Sequence, residues 1–254
     1  MKVVETNAKK RGYVWLDELS TKEAAVAAKA GVVVIFPVGS VEEHGDHLPL
    51  CTDSIQPEYV AVEVARRTGC LVAPPFRHGV CNAGRNFPGT ISIGFETLRM
   101  VARDVLAELV RNGFNRIIVL SGHAGSSHMV ALRLAAQEVV KHPSPVSAKK
   151  TRIMVLSDFD FALEVKNLGF PKSDGHAGAV ETSRVMAIRP DLVKGKGKAG
   201  AMNVPRFEVV PDPERYFEGG VNGDPTLASD VKGKAINAYV IEQVVKLVKA
   251  LSGN

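Results

Sequence analysis

The sequence predicts an α/β fold, with a mostly parallel central sheet and helices on both faces of that sheet. Three observations lead to this prediction. Short apolar runs alternate with amphipathic segments along most of the 254 residues, the links between them are short, and neither an internal repeat nor a linker divides the chain. Such an alternation is typical of strands joined by crossover helices, which makes the strands parallel. We expect residues 1–254 to form one domain.

Apolar runs mark four strands, and the first is the clearest. Residues Val32–Val38 are continuously apolar and rich in β-branched side chains. This composition is typical of a strand that is buried on both faces. Three further runs are predicted strands: Cys70–Ala73, Arg116–Leu120 and Arg152–Leu156.

Helical periodicity fills the segments between the strands. A capping-box pattern at Ser20 begins the first helix, which ends at Gly31. Asp53 is expected to cap the second helix, which ends at Gly69. Four later segments are also predicted helices, the last of them with a break near Gly233: Phe95–Arg111, Ser127–Lys141, Val180–Ile188 and Asp230–Leu251. Residues 194–225 are rich in Gly, Pro and charge, which favours a long ordered loop.

Composition narrows the functional classes. Hydrophobic residues make up 45% of the chain and charged residues 23%, as in an ordinary globular protein. The formal charge of +5 is modest and acidic residues are interleaved with basic ones, which argues against a nucleic-acid partner. Because the chain has no apolar leader segment and no apolar run of about 18 residues, we expect no membrane partner and a cytoplasmic location. The cysteines match neither a disulfide framework nor a CxxC metal site; they are Cys51, Cys70 and Cys81.

Side chains that bind metals form three clusters along the sequence, two of them directly after predicted strands. The members are Glu42, His44 and Asp53, then His123, then His176 and Glu181. Ligands of α/β proteins gather at the C-terminal ends of the strands. A single histidine at a strand end is more often structural than a ligand, but clusters repeated in this position favour a metal site.

The ligand types indicate which metals would bind. Carboxylate and imidazole groups without paired cysteines suit Zn²⁺, Mn²⁺ or Fe²⁺ at a hydrolytic site. Glu42 and His44 are two residues apart, so an extended backbone would direct both side chains to one side. Asp53 has two carboxylate oxygens and could bridge two ions. Spacing alone does not fix the reaction.

The remaining histidines and two aspartates receive other interpretations. His128 falls inside a predicted helix and His142 beyond its end, where structural or solvated roles are expected. His47 and His78 are candidates to line the pocket. Loop hydrogen bonding is favoured over metal contact for the acidic pair Asp158 and Asp160.

Several segments together resemble the creatininase (creatinine amidohydrolase) family. They occur in the order in which the family has them and extend over the chain from about Trp15 to Lys234. Order and spacing make this resemblance far more specific than one short motif. The matching segments are Pro37–Asp53, Phe87–Ser92, Ser121–His123, His176–Ser183 and Gly220–Pro225.

The resemblance implies a three-layer α/β sandwich with two divalent metal ions per chain, in a family that often assembles into hexamers; we therefore expect a homo-oligomer. By the same resemblance, Glu42 and His123 would hold one ion and His44 the other. Asp53 would bridge the two ions. His176 matches the catalytic histidine of the family.

Two departures from the family pattern argue against creatinine itself as the substrate. Creatinine-hydrolysing members carry a glutamate where this chain has Gly125, and Glu181 is our candidate for the missing carboxylate ligand. Those members also place tryptophans around the substrate. This chain has only Trp15, and Phe159 and Lys172 stand where those tryptophans align.

The leading hypothesis is a metal-dependent amidohydrolase that cleaves an amide bond of a small molecule with a metal-activated water. His176, near its usual pKa, would carry a proton to the departing nitrogen. Backbone N–H groups at Gly125 and Ser126 would stabilise the oxyanion. Ser40 and Thr52 are expected to orient the metal-binding carboxylates. The predicted substrate-binding side chains are Arg85, Phe159 and Lys172.

Three alternatives stay open. The first is a formamide hydrolase acting on a formamidopyrimidine nucleotide in flavin or deazaflavin synthesis, where Arg85 and Lys172 would meet a phosphate. The second is peptide cleavage in cofactor maturation. The third is a non-catalytic metal-binding protein of the same fold, although the presence of both Asp53 and His176 argues against it, because a bare binding site needs no proton carrier.

Overall fold

A computed structural model describes residues 14–142 and 150–253 of the chain. Within these residues four strands form one parallel sheet: β1 (Val34–Val38), β2 (Leu71–Val72), β3 (Arg116–Ser121) and β4 (Arg152–Ser157). The strand order is β2-β1-β3-β4, so the chain crosses over between β2 and β3. The predicted parallel α/β fold is confirmed.

Helices connect and follow the strands. The α-helices are α1 (Thr21–Ala30), α2 (Thr52–Thr68), α3 (Phe95–Arg111), α4 (Ser126–Lys141), α5 (Asp158–Ala162), α6 (Ala179–Ile188) and α7 (Asp230–Ser252). Short 3₁₀ turns cover Leu16–Glu18, Pro190–Leu192, Pro213–Tyr216, Glu218–Gly220 and Pro225–Leu227. Three of these turns interrupt or border the segment predicted as a long loop, which is otherwise irregular.

The helices cover the sheet on both faces, as expected. Val34 and Phe36 of β1 point to one face, where they pack with buried residues of α1, α3 and α4. Val33 and Ile35 point to the other face, where they pack with α2 and α7. Because neighbouring residues of a strand face opposite sides, a strand buried on both sides has to be apolar throughout. This requirement explains the uninterrupted apolar run that predicted β1.

Two predictions about helix boundaries were wrong, each for a physical reason. Helix α7 continues through Gly233 without a break. A Cβ on Gly233 would lie 1.8 Å from the carbonyl oxygen of Ser183, so glycine serves the close packing of α7 on α6. Helix α2 begins one residue before Asp53, with Cys51 as its N-cap. The Asp53 side chain therefore does not cap the helix and is available for contacts with other elements.

Helix α5 was predicted as a loop. It is only five residues long, which is too short to show helical periodicity in the sequence.

Within residues 14–142 and 150–253, none of the helices combines the length and apolar character that are needed to cross a bilayer. The N-terminal residues on which the expected cellular location partly rests, 1–13, lie outside the described residues.

Candidate metal centre

The predicted metal ligands converge where β1 and β3 end. The two strands are hydrogen-bonded neighbours, with Val38 in register with Ser121. The loops that follow them therefore emerge side by side and bring Glu42 and His44 next to His123. All three side chains are buried. The first turn of α2 adds the buried Asp53 from the same edge.

Asp53 directs its two oxygens at two different histidines. Its Oδ2 lies 2.9 Å from Nδ1 of His123, and its Oδ1 lies 3.1 Å from Nε2 of His44. The Ser40 hydroxyl donates a hydrogen bond of 2.6 Å to Oδ2 and so fixes the carboxylate, as expected from the sequence. Thr52 does not share this role, because its hydroxyl donates to the Pro49 carbonyl oxygen at 2.7 Å. The carboxylate is thus held between two groups of ligands.

The first group, which we call the first half-site, consists of Glu42, Cys81 and His123. One ligand atom from each residue lies within 4.8 Å of the other two, and all three residues are buried. Oε2 of Glu42 is 3.0 Å from Nδ1 of His123, yet it accepts no well-formed hydrogen bond from any described residue. Buried polar atoms are almost always satisfied, so this geometry fits two donors that converge on a common cation.

The second group, the second half-site, consists of His44, His176 and Glu181. Their ligand atoms also lie within 4.8 Å of one another. Nε2 of His44 is 3.7 Å from Oε2 of Glu181. This nitrogen is buried and, among the parts of the chain that the structure describes, forms no well-formed hydrogen bond. The second half-site therefore has the same signature as the first.

Backbone carbonyl groups orient the histidines of both half-sites. Nε2 of His123 donates to the Val80 carbonyl oxygen at 3.0 Å, which leaves Nδ1 to face the carboxylates. Nδ1 of His44 donates to the Glu42 carbonyl oxygen at 3.2 Å, which leaves Nε2 toward Asp53. Hydrogen bonding of the distant ring nitrogen is how proteins set the tautomer of a metal-binding histidine.

His128 supports the first half-site from behind. Its Nδ1 accepts a hydrogen bond of 3.3 Å from the Val80 N–H, so the neutral ring carries its proton on Nε2 and donates to the Ser121 hydroxyl at 3.1 Å. Ser121 in turn donates to the His123 carbonyl oxygen at 2.7 Å. The ring of His128 meets the ring of His123 edge to face at 4.8 Å. The structural role expected for His128 agrees with these contacts.

His176 is the most accessible residue of the two half-sites, with 22% of its side chain exposed. Its Nε2 donates to the Glu43 carbonyl oxygen at 2.8 Å and lies 3.3 Å from Oε1 of the same residue. Its ring packs 4.1 Å from the His44 ring and 5.3 Å from the Phe217 ring. The imidazole is therefore positioned on two sides and open to solvent on another.

The pKa of His176 is raised, whereas the sequence predicts a histidine near its usual pKa. Burial and the neighbouring His44 lower the pKa, but the hydrogen bond to Glu43 and the charges of Glu42 and Glu181 outweigh them. The raised pKa therefore reflects the three acidic side chains around the ring.

Glu181 is held at the second half-site by an unusual backbone conformation. The Ala177 N–H donates to Oε2 of Glu181 at 2.6 Å, and Ala177 has a positive φ of 54°. A non-glycine residue in this region costs about 1–3 kcal/mol and occurs mainly at functional sites. Asp174 stabilises the same turn by accepting hydrogen bonds from the N–H groups of Ala179 and Val180 at 2.8 and 2.9 Å.

The electrostatics of the centre are those of a cation site. Burial alone would raise the pKa of Asp53, yet His44 and His123 hold it well below its usual range. Burial would likewise lower the pKa of both histidines, but the surrounding carboxylates raise it well above the usual value. Carboxylates buried this closely together require positive charge between them.

Gly125 leaves no room for a side chain. A Cβ at this position would lie 2.6 Å from Nε2 of His123, the atom that bonds to Val80. A carboxylate at position 125 would therefore displace His123. Glu181, which approaches from α6, is compatible with the observed position of His123.

The three predicted substrate-binding residues have no polar or ring contact with this centre in the described structure. Arg85 and Lys172 are exposed, and Phe159 packs against the core cluster beneath α7. In the described parts of the chain, none of the three forms a hydrogen bond, ion pair or ring contact with a residue of either half-site. Their substrate-binding role stays a prediction.

Two further histidines differ in their surroundings. His47 is buried, and its Nε2 is 2.9 Å from the Thr182 hydroxyl on α6. Burial and the neighbouring His44 lower the pKa of His47. The ring of His78 packs at a tilt against that of Phe76, with ring centroids 5.8 Å apart. Of the two candidates, His47 is therefore the one beside the second half-site.

The two aspartates after β4 have structural contacts, in agreement with the preference against metal binding. Asp158 is buried and pairs with Arg184 at 2.5 Å, and Arg184 also donates to Asn237 at 2.9 Å. Asp160 accepts a hydrogen bond of 3.2 Å from the Ser157 N–H at the start of α5.

Sequence reasoning missed Cys81, Glu43 and Phe217. Cys81 gave no signal, because a cysteine without a partner at CxxC spacing does not indicate a metal site. Glu43 lies between two predicted ligands in the sequence. In an extended backbone its side chain would point away from those ligands, so the sequence did not indicate its contact with His176. Phe217 belongs to the irregular segment, where no sequence periodicity predicts the direction in which a side chain points.

The chain matches known proteins over nearly its whole length. Residues 17–248 match the model of the creatininase family, described as creatinine amidohydrolase. Creatinine amidohydrolase of Pseudomonas putida is 30% identical over 93% of this chain and 96% of its own length. A mycofactocin precursor peptide peptidase of Mycobacterium ulcerans is 30% identical over 92% and 91%, respectively. A solved creatininase–Mn structure is 30% identical, with a TM-score of 0.81, over 94% of this chain and 98% of that one.

Proposed function

Because this chain belongs to the creatininase family of hydrolases, we propose that it is a divalent-metal-dependent amidohydrolase that cleaves a carbon–nitrogen amide bond of a small molecule. The observation that carries the proposal is the placement of Asp53. Its two oxygens lie 2.9 Å from His123 and 3.1 Å from His44, which are the ligand atoms of two separate groups. A single-metal site would not require this arrangement.

The donor sets fit two divalent cations. Glu42, Asp53 and His123 would hold one cation, and His44, Asp53 and Glu181 would hold the other. The atoms Oε2 of Glu42 and Nε2 of His44 are buried without a well-formed hydrogen bond from the described residues, which supports this assignment. Oxygen and imidazole donors suit Zn²⁺, Mn²⁺ or Fe²⁺. When bound, such cations lower the pKa of water and polarise a carbonyl group.

His176 is the proposed proton carrier. It is the partly exposed member of the centre, so a substrate can reach it while the ligands beneath stay buried. The bond from its Nε2 to the Glu43 carbonyl leaves Nδ1 as the atom that exchanges a proton. An imidazolium at this position would protonate a departing nitrogen and return to the neutral ring.

The start of α4 is the proposed oxyanion site. Gly125 is the N-cap of this helix and Ser126 its first residue. The first N–H groups of a helix have no intrahelical acceptor and carry partial positive charge. They directly follow His123 in the chain, and we expect them to stabilise an oxyanion that develops beside that histidine.

Peptide cleavage is the second candidate, because the chain is as similar to a mycofactocin precursor peptide peptidase as to creatinine amidohydrolase. Creatinine is less well supported. The only tryptophan, Trp15, forms a bridge with Val72 at the edge of the sheet, away from the two half-sites.

The test is a hydrolysis screen of the metal-loaded protein against creatinine, other cyclic amides, formamidopyrimidine nucleotides and short peptides. Asp53→Ala is the inactive control, and Asp160→Ala is the matched control outside the centre. Turnover of a small amide that depends on Asp53 supports the proposal. Cleavage of peptides alone supports the second candidate. Two bound metals with no turnover of any substrate would instead identify a metal-binding protein.

A further inference from the structure

We propose that Cys81 is a metal ligand of the first half-site and that its thiolate makes this half-site selective for Zn²⁺ over Mn²⁺. The inference rests on the proposed function, because it assigns one more ligand to the same centre. No sequence pattern indicates this cysteine as a ligand, and its thiol differs in chemistry from every other ligand of the centre.

The position of the thiol carries the inference. Sγ of Cys81, a carboxylate oxygen of Glu42 and a ring nitrogen of His123 all lie within 4.8 Å of one another. Cys81 is completely buried. Oε2 of Glu42, which belongs to the same cluster, is buried and accepts no well-formed hydrogen bond from the residues that the structure describes. An unsatisfied carboxylate beside a buried thiol and an imidazole indicates a cation that all three can share.

The backbone presents this thiol rigidly. The Cys81 N–H donates to the Ser92 hydroxyl at 3.0 Å. The preceding residue, Val80, donates its N–H to His128 and accepts a hydrogen bond from His123 on its carbonyl oxygen. The same peptide segment therefore orients the histidine ligand and positions the cysteine, which is expected where both bind one ion.

Cys70 provides an internal comparison. It is also buried, but its side chain lies in the apolar cluster that contains Val33 and Val64. Burial of a free cysteine in such a cluster is ordinary packing. Cys81 is buried instead beside the carboxylate of Glu42 and the imidazole of His123, which are groups that bind metals.

The chemistry of the thiolate predicts the selectivity. Glu42, Asp53, His123 and Cys81 supply four donors, which is the number that tetrahedral Zn²⁺ takes in closed protein sites. Thiolates favour Zn²⁺, whereas Mn²⁺ prefers oxygen donors. Coordination releases the thiol proton to solvent and changes no oxidation state. The second half-site has no thiol and would accept either metal.

The experiment uses Co²⁺ as the probe, because thiolate coordination to Co²⁺ produces a charge-transfer band in the near ultraviolet. We expect the band in the wild-type protein and in Cys70→Ala. In Cys81→Ala we expect the band to be lost while the visible d–d bands of bound Co²⁺ remain. Metal competition should show that the preference for Zn²⁺ over Mn²⁺ falls by on the order of tenfold or more in Cys81→Ala.

X-ray absorption of the wild-type zinc protein tests the same point without relying on a variant. We expect a Zn–S scatterer at about 2.3 Å. Bound metal with neither a charge-transfer band nor a Zn–S distance would overturn the role of Cys81 and leave the proposed function intact, as would a band that persists in Cys81→Ala. A wild-type protein that binds no Co²⁺ or Zn²⁺ would instead overturn both.

Discussion

The two half-sites differ in how far they are enclosed. Glu42, Cys81 and His123 are all buried, and a further buried residue, His128, supports them. In the second half-site, His44 and Glu181 are buried but 22% of the His176 side chain is exposed. The enclosed half-site is suited to retaining a metal, and the open one to meeting a substrate. A binuclear centre can thus divide retention and catalysis between its halves.

The half-sites also differ in the elements that build them. The first takes Glu42 and His123 from the loops that follow β1 and β3, the most regular part of the fold, and Cys81 from the segment after β2. The second shares the loop after β1 through His44, but it also depends on α6 and on the turn at Ala177, whose positive φ of 54° is strained for a residue with a side chain. We therefore expect each half-site to retain its own metal, and the proton carrier of the second to affect turnover without changing metal content.

Asp53→Ala should have the largest effect, because this carboxylate is shared by both half-sites. We expect no detectable hydrolysis and the loss of at least one metal per chain, measured by elemental analysis after dialysis. Asp160→Ala, which alters an exposed aspartate at the start of α5, should retain both metals. Two tightly bound metals in Asp53→Ala would show that the carboxylate does not bridge the half-sites.

The variant His176→Ala should separate turnover from metal retention. The variant loses the proton carrier, which is expected to lower kcat by roughly 10²–10⁴. Metal content should stay nearly unchanged, because His44, Asp53 and Glu181 remain. Steady-state kinetics together with elemental analysis check this prediction, and His142→Ala serves as the control. Loss of a metal from His176→Ala would make this residue a ligand instead.

A smaller effect is expected on the free energy of unfolding in acid, through the histidine behind the first half-site. Burial first, and then the charge of His123, lower the pKa of His128 to about 3. The unfolded chain takes up a proton on this histidine below about pH 6.5, whereas the folded chain does so only near its lowered pKa. The contribution of this residue to the free energy of unfolding is therefore fully present above about pH 6.5. It is lost as pH falls, by at most about 1.4 kcal/mol per pH unit.

His128→Gln should remove this loss, because the amide replaces the ring without titrating. Urea unfolding of the metal-free proteins, measured at several pH values below neutrality, should give a shallower decline in the free energy of unfolding for His128→Gln. The control, His142→Gln, changes a histidine at the exposed end of α4 and should keep the wild-type slope. Equal slopes for all three proteins would contradict the prediction.

The sequence predicted the regular parts of this molecule well. The apolar runs identified every strand of the described sheet to within two residues. The signal was clearest for β1, because a strand buried on both faces must be apolar throughout. The same logic placed Glu42, His44 and His123 at one edge of the sheet. Glu181 was inferred from its distance to His176 along one helix start, and the structure brings both to His44.

The sequence could not reveal contacts made by isolated residues distant in the chain. Cys81 meets Glu42 and His123 only after three segments fold together. Gly233 resembled a helix break, but its lack of a side chain serves the contact with Ser183. A single domain, a cytoplasmic location and a homo-oligomer stay predictions.

The central claim is that two distinct half-sites share one carboxylate, and metal content in two matched variants tests it most directly. Glu42→Gln removes a charge from the first half-site only, and Glu181→Gln removes one from the second only. Elemental analysis should find about two tightly bound metals in the wild type and about one in each variant. The retained ion in Glu181→Gln should be the one beside Cys81. Two full equivalents in Glu181→Gln would contradict the account.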